Sequence, residues 1–177
     1  MMVLAFGIHR STALPIIAFF VASYLIKSPK FAIGFWVASI GLSLVLGGFF
    51  TNFFMGLGFD DRMTSYATSM EQNKDQFSQT GFRWDFLLYS AMPVWLTWYI
   101  CKKVDEERAL YGETQEEIET GVPGAGRIAD AHSMRVFYIL STTYMLANSF
   151  WVMVNRAAFS NRFAYLSWFL YPVVIAY

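Results

Sequence analysis

The sequence predicts an all-α fold: a polytopic integral membrane helical bundle of about four full spans, with truncated hydrophobic segments at its two ends. Three observations predict it. Charged residues fill 15% of the 177 positions and apolar residues 56%, whereas a soluble domain carries roughly 25% charged residues. The apolar residues gather in runs long enough to cross a hydrocarbon core of about 30 Å at about 1.5 Å per residue. The connections between those runs hold nearly all the charge. One membrane domain is expected over 1–177.

The elements follow in order. MMVLAFGI at 1–8 is the end of a hydrophobic segment, which His9 and Arg10 separate from a first span near 11–26. Residues 31–55 carry no charged side chain and give the strongest span signal. A third span is expected over 84–101, with Asp85 at its rim and Pro93 placed to kink it. A fourth lies over 136–154, and a further apolar run occupies 163–177. Neither end has a polar flank, and no basic region opens the chain as in a secretory signal. The expectation is therefore a C-terminal fragment of a longer membrane protein.

Composition excludes several functions. Thirteen basic and thirteen acidic side chains cancel, so no nucleic-acid partner is expected. One cysteine, Cys101, and two histidines, His9 and His132, are too few for a disulfide framework or a usual metal site. No metal and no cofactor are predicted.

Basic residues set the expected topology. The Lys27–Lys30 turn and the 102–135 loop are placed on the cytoplasmic side. His9-Arg10, the outer loop 56–83 and the 155–162 connection take the other. Small residues Gly34, Ala38, Gly41, Gly47 and Gly48 predict close helix approach, and Ser141, Thr142, Thr143 and Asn148 predict hydrogen bonds across helices. Trp84, Trp95, Trp98, Trp151 and Trp168 fit anchoring or lipid contact.

The cytoplasmic stretch 104–120 is helix-compatible, and its Glu116, Glu117 and Glu119 suit a solvated helix face. VPGAGR at 122–127 is a turn without the spacing of a phosphate-binding loop. The outer loop is far longer than a usual helix connection, which favours a functional role. It carries Asp60, Asp61 and Arg62 among serine, threonine and glutamine, the neutral groups that line carbohydrate sites. Arg83 precedes a membrane helix, where the positive end of the dipole favours Asp85 and disfavours arginine. Such an arginine persists if it snorkels, pairs with a carboxylate or meets an anion. Arg10, Arg83, Arg156 and Arg162 place four guanidinium groups at one membrane face, suited to the oxygens of a lipid-linked pyrophosphate.

These segments resemble a family. HRSTALPIIAFF at 9–20 resembles the His-x-Ser-Ala-Leu element of EpsG-type polysaccharide polymerases, with Arg10 where an apolar or aromatic residue is expected. TGFRWDFLLYSAMP at 80–93 is similar to that family's Gly-Phe-Arg-Trp-Asp-Phe-Leu-Leu-Tyr-Ser block. NRFAYLSWFLYP at 161–172 is similar to its late Asn-Arg-x-Ala-Tyr segment.

The resemblance implies a Wzy-like protein of the bacterial inner membrane, multi-pass, in exopolysaccharide, capsule or O-antigen synthesis. Its substrate would be an undecaprenyl-pyrophosphate-linked oligosaccharide. Membrane lipids, a chain-length regulator and a flippase would be its partners. The reaction transfers a growing glycan from the polyprenyl pyrophosphate to a hydroxyl of the next repeat. Arg83, Arg156 and Arg162, with Arg10 and Arg62, are the expected substrate contacts. His9 is the expected base because its ordinary pKa suits neutral pH, with Asp60, Asp61 and Asp85 as alternatives. As a fragment the chain is not expected to catalyse alone. Three other readings stay open: a lipid-linked sugar flippase, a non-catalytic membrane assembly subunit and an O-antigen ligase.

Overall fold

The computed structural model describes residues 13–25, 28–56, 82–155 and 161–176. Among them the chain is helical, with no strand and one isolated bridge between Ala125 and Ala129. Helix α1 is Ala13–Tyr24 and α2 is Pro29–Gly56. Helix α3 is Trp84–Tyr111, α4 is Gln115–Thr120 and α5 is Ala131–Met153. The expected run 163–177 is divided into α6, Asn161–Trp168, and α7, Tyr171–Ala176.

Local chemistry sets most of the boundaries. Proline tolerates the first position of α2, where its missing N–H is not needed. Helix α3 runs beyond its long apolar run, because Val104–Tyr111 keeps the backbone ladder although four of its eight side chains are charged. It stops where Gly112 takes φ 74° and its N–H reaches the Arg108 carbonyl at 2.9 Å. The Asp130 carboxylate accepts from the Ser133 N–H at 3.0 Å and caps α5. Helix α2 bends at Leu46, whose φ of −118° and ψ of 17° leave the helical region.

Among the described residues two helices, Pro29–Phe50 and Ala131–Met153, are long and apolar enough to cross a membrane. They occupy different places. The second has most of its apolar stretch buried and forms the axis of the bundle, with α1, α2, α3, α6 and α7 packed around it. The first has less than a quarter of its apolar stretch buried and turns most of its residues outward. Helix α3 is not of this kind, since Asp85 and Lys102 bound its uncharged run.

A regular seam joins α3 to α5. The buried residues of α3 include Leu87, Ser90, Val94, Thr97, Cys101 and Val104, alternating by three and four positions. Helix α5 is buried on most sides, and Met134, Phe137, Ser141, Tyr144, Asn148 and Trp151 repeat the same spacing among its buried residues. This is the spacing of an antiparallel helix pair with a heptad repeat. Two direct contacts fix the register. Asn148 Nδ2 donates to Ser90 Oγ at 3.3 Å, and one heptad away the Asn155 side chain binds the Arg83 backbone. Further along the pair, Val104 of α3 and Met134 of α5 both approach Gly124, with Val104 Cγ2 and Met134 Cε each 2.9 Å from where its side chain would begin.

The seam's polar residues meet at Asn148. Its Oδ1 accepts from the indole N–H of Trp36 at 2.8 Å, and its Nδ2 donates to Ser90 and, at 2.9 Å, to Ser167. The Trp168 indole also donates to Ser90 Oγ at 2.9 Å. One fully buried amide thus ties α2, α3 and α6 to α5.

Three packing expectations change here. Gly34, Gly41 and Gly48 have no neighbour within 4 Å of where a side chain would begin, so their stripe lies on the outer face of α2. The α2–α5 contact uses Ala32, Trp36, Ser39 and Ser43 instead; of the remaining expected small residues Ala38 is exposed, whereas Gly47 is buried as expected. Ser141 and Thr143 donate to carbonyls of their own helix, at Phe137 and Ile139, so of the four expected cross-helix residues Asn148 alone is seen bonding to other helices. Trp84, Trp95 and Trp98 are exposed, whereas Trp151 is fully buried and Trp168 is part of the interior network.

Candidate functional site

The bundle has two polar ends. At one, Arg83 and Asp85 open α3 beside the end of α5. The Arg83 N–H donates to Asn155 Oδ1 at 3.1 Å, and Asn155 Nδ2 donates to the Arg83 carbonyl at 3.4 Å. A buried side-chain amide thereby holds the main chain of this arginine as a neighbouring strand would. Asn155 is fully buried, which keeps water from competing for those bonds.

The guanidinium lies outside that clamp. Its Nε reaches Asp85 Oδ1 at 3.0 Å and its Nη2 reaches Oδ2 at 2.7 Å, a paired fork contact. Its carbon sits 4.1 Å from the centre of the Phe86 ring, which supports it from below. The Arg83 side chain is 26% exposed and that of Asp85 58%. A planar cation is thus held on one face by an aromatic ring and matched along one edge by a replaceable carboxylate. Such a group can bind a carboxylate or phosphate.

Helix α6 begins at this same end. Ser167 bonds to Asn148 and Ala164 is buried, so α6 runs back along α5 from Asn161-Arg162. Of the sequence-predicted site residues, Arg83 and Asp85 are brought into contact, and the α6 backbone puts Arg162 at their end of the bundle. The Arg162 side chain lies outside the described residues, as do His9, Arg10, Asp60, Asp61, Arg62 and Arg156. Among the described residues no cluster of histidine, cysteine and carboxylates could hold a metal ion.

Asn155 is the residue that sequence reasoning missed. Its signal was the heptad step from Asn148, which repeats the step from Ser90 back to Arg83.

The opposite end holds more charge. Lys30 Nζ meets Asp105 at 2.7 Å and joins the start of α2 to α3. Arg108 meets Glu113 at 2.6 Å and Glu117 at 3.3 Å, and Arg127 lies 3.6 Å from Glu107. Thr114 and Glu117 form a capping box at the start of α4. Glu117 was expected on a solvated face and is instead buried, because it also accepts from the Gly124 N–H in the 122–127 turn. Burial alone would raise its carboxyl; the N–H groups of Gly124 and Thr114 and the Arg108 guanidinium outweigh that and hold it below the ordinary value. Glu116 accepts from the Ala131 N–H at 2.7 Å. These groups bind one another and close a cap over the ends of α3 and α5.

No known family model matches the chain, and no curated protein or solved structure is significantly similar to it. The functional reading therefore rests on the residues themselves.

A groove of about 290 Å³ runs between α1, α2 and α5, lined by Leu14, Ile17, Phe35, Leu146 and Phe150 among others. None of its lining side chains is polar. It suits hydrocarbon and offers nothing to a sugar.

Proposed function

We propose that the chain is a multi-pass protein of the bacterial inner membrane that polymerises lipid-linked oligosaccharide repeats. The products would be exopolysaccharide, capsule or O-antigen. The observation that carries this reading is the Arg83 guanidinium, fixed through its backbone by buried Asn155 and presented at the end of an apolar bundle. A site that must grip a pyrophosphate at a membrane face needs that combination: a placed cation, a hydrocarbon-compatible body and no dependence on water. The outward Ile17, Phe31, Val45, Leu88 and Trp95, against inward Ser39, Ser90, Thr97 and Asn148, also support a lipid-facing surface.

The chemistry can be followed by atom. A hydroxyl oxygen of the acceptor repeat attacks the anomeric carbon of the donor glycan. The bond from that carbon to the pyrophosphate oxygen breaks, and the glycosidic bond forms. The hydroxyl proton passes to a base, for which His9 is first choice and Asp60 and Asp61 follow. Charge grows on the leaving polyprenyl pyrophosphate, and Arg83, with Arg156 and Arg162, stabilises it there. Asp85, once a candidate base, fits better as the partner of Arg83, since both of its oxygens are engaged by the fork.

The test is the polysaccharide ladder of cells that lack the gene encoding this chain. Collapse to a single repeat, reversed by the wild-type gene, supports a polymerase. An intact ladder removes the reading and leaves a transport or assembly role.

A further inference from the structure

The Arg83 fork is already occupied. Asp85 meets it with two oxygens, at 3.0 and 2.7 Å, in the geometry a phosphate would use. Any anion that binds this edge of the guanidinium must first displace that carboxylate. We infer that Asp85 is an internal placeholder for the anionic ligand, exchanged for two phosphate oxygens when the site fills. This rests on the anion-binding reading above and adds to it a competitor within the chain.

Three features make the exchange easy. Asp85 is 58% exposed, so its side chain can rotate into solvent without opening the bundle. It stands in the first turn of α3, at the positive end of the helix. The helix dipole therefore stabilises it after it leaves the arginine. Arg83 itself does not depend on Asp85 for its place, because Asn155 holds its backbone and Phe86 supports its ring face. The site thus moves between two states by one side-chain rotation, with the cation fixed in both. The placeholder also sets a threshold. A ligand must outbid a carboxylate, which favours phosphate and pyrophosphate groups over the single carboxylate of an acidic sugar.

The experiment uses the full chain in nanodiscs of zwitterionic lipid. Inorganic pyrophosphate is titrated in one series and a short isoprenyl pyrophosphate in another. Asp85→Asn should tighten binding by about threefold to fivefold, the factor supplied by releasing an exposed ion pair. Arg83→Ala should remove binding. Tightening with both probes assigns the exchange to the pyrophosphate itself; tightening with the isoprenyl probe alone assigns it to a lipid-linked headgroup. Should Asp85→Asn fail to fold, Asp85→Ser keeps a cap for α3 and is read in the same way. Unchanged or weaker binding in the Asp85 variants, with binding still lost in Arg83→Ala, overturns the placeholder and leaves the anion site standing. Equal binding by wild type and Arg83→Ala, or none by either, overturns the anion site as well.

Discussion

The cap around Glu117 and the end around Arg83 use the same residue types for opposite purposes. In the cap, arginines and glutamates are interlocked: Arg108 serves Glu113 and Glu117, and Glu117 also serves two backbone N–H groups. A ligand there would have to break several bonds at once. At the Arg83 end a neutral amide does the structural work, which leaves the charged edge of the guanidinium facing one exposed carboxylate. Charge density is therefore a poor guide to function in this molecule. The better guide is whether a charged group is needed to keep its own backbone in place.

That contrast can be broken by substitution, starting where the effect should be largest. Asn148→Ala removes the amide that ties α2, α3 and α6 to α5 and leaves the Trp36 indole N–H without its acceptor. A loss of about 2–3 kcal/mol is expected, read by denaturant unfolding of the purified chain in detergent.

Next comes Glu117→Gln, which keeps the shape of the side chain but weakens its bonds to Arg108 and the backbone. It should cost about 2 kcal/mol of cap stability, seen as faster hydrogen exchange over 114–126. The pH dependence has the same origin. Because folding lowers this carboxyl, its contribution is present above the unfolded value of about 4.3 and is lost as pH falls through the lower folded value. Wild-type exchange over the cap should therefore accelerate in that acid window, while Glu117→Gln loses that component.

Gly124→Ala should be similar, at about 2 kcal/mol. Gly124 has φ of +84°, which strains alanine, and the added methyl would lie 2.9 Å from Met134 Cε, a flexible end, and 2.9 Å from Val104 Cγ2, on a buried β-branched side chain that yields less easily. Arg83→Ala should be mildest, within about 1 kcal/mol by the same unfolding measurement, since the Asn155 clamp uses only main-chain atoms of residue 83. A large loss there would mean that the guanidinium is structural after all.

Much of the helical architecture was legible because α2 and α5 coincide with long apolar runs. The end of α3 was less so: Lys102 ends the apolar run, but the backbone hydrogen bonds continue to Tyr111. Glu117 looked like a surface acid because its burial depends on the Gly124 N–H, contributed by a turn after α4. The pairing of Arg83 with Asp85 could be read from adjacency. Asn155 could not, being far along the chain and polar at the end of an apolar run. The heptad step from Arg83 to Ser90, matched by that from Asn148 to Asn155, was present in the letters. A search for hydrophobic residues passes over it, because its members are small or polar and meet only once α3 and α5 lie antiparallel.

The central claim is that the Arg83 end works and the Glu117 cap supports. Its most direct test is complementation of the deletion strain by Arg83→Ala and by Glu117→Gln, with membrane levels of the two proteins matched. The account predicts a ladder collapsed to single repeats with Arg83→Ala and a full ladder with Glu117→Gln. A full ladder with Arg83→Ala would contradict it.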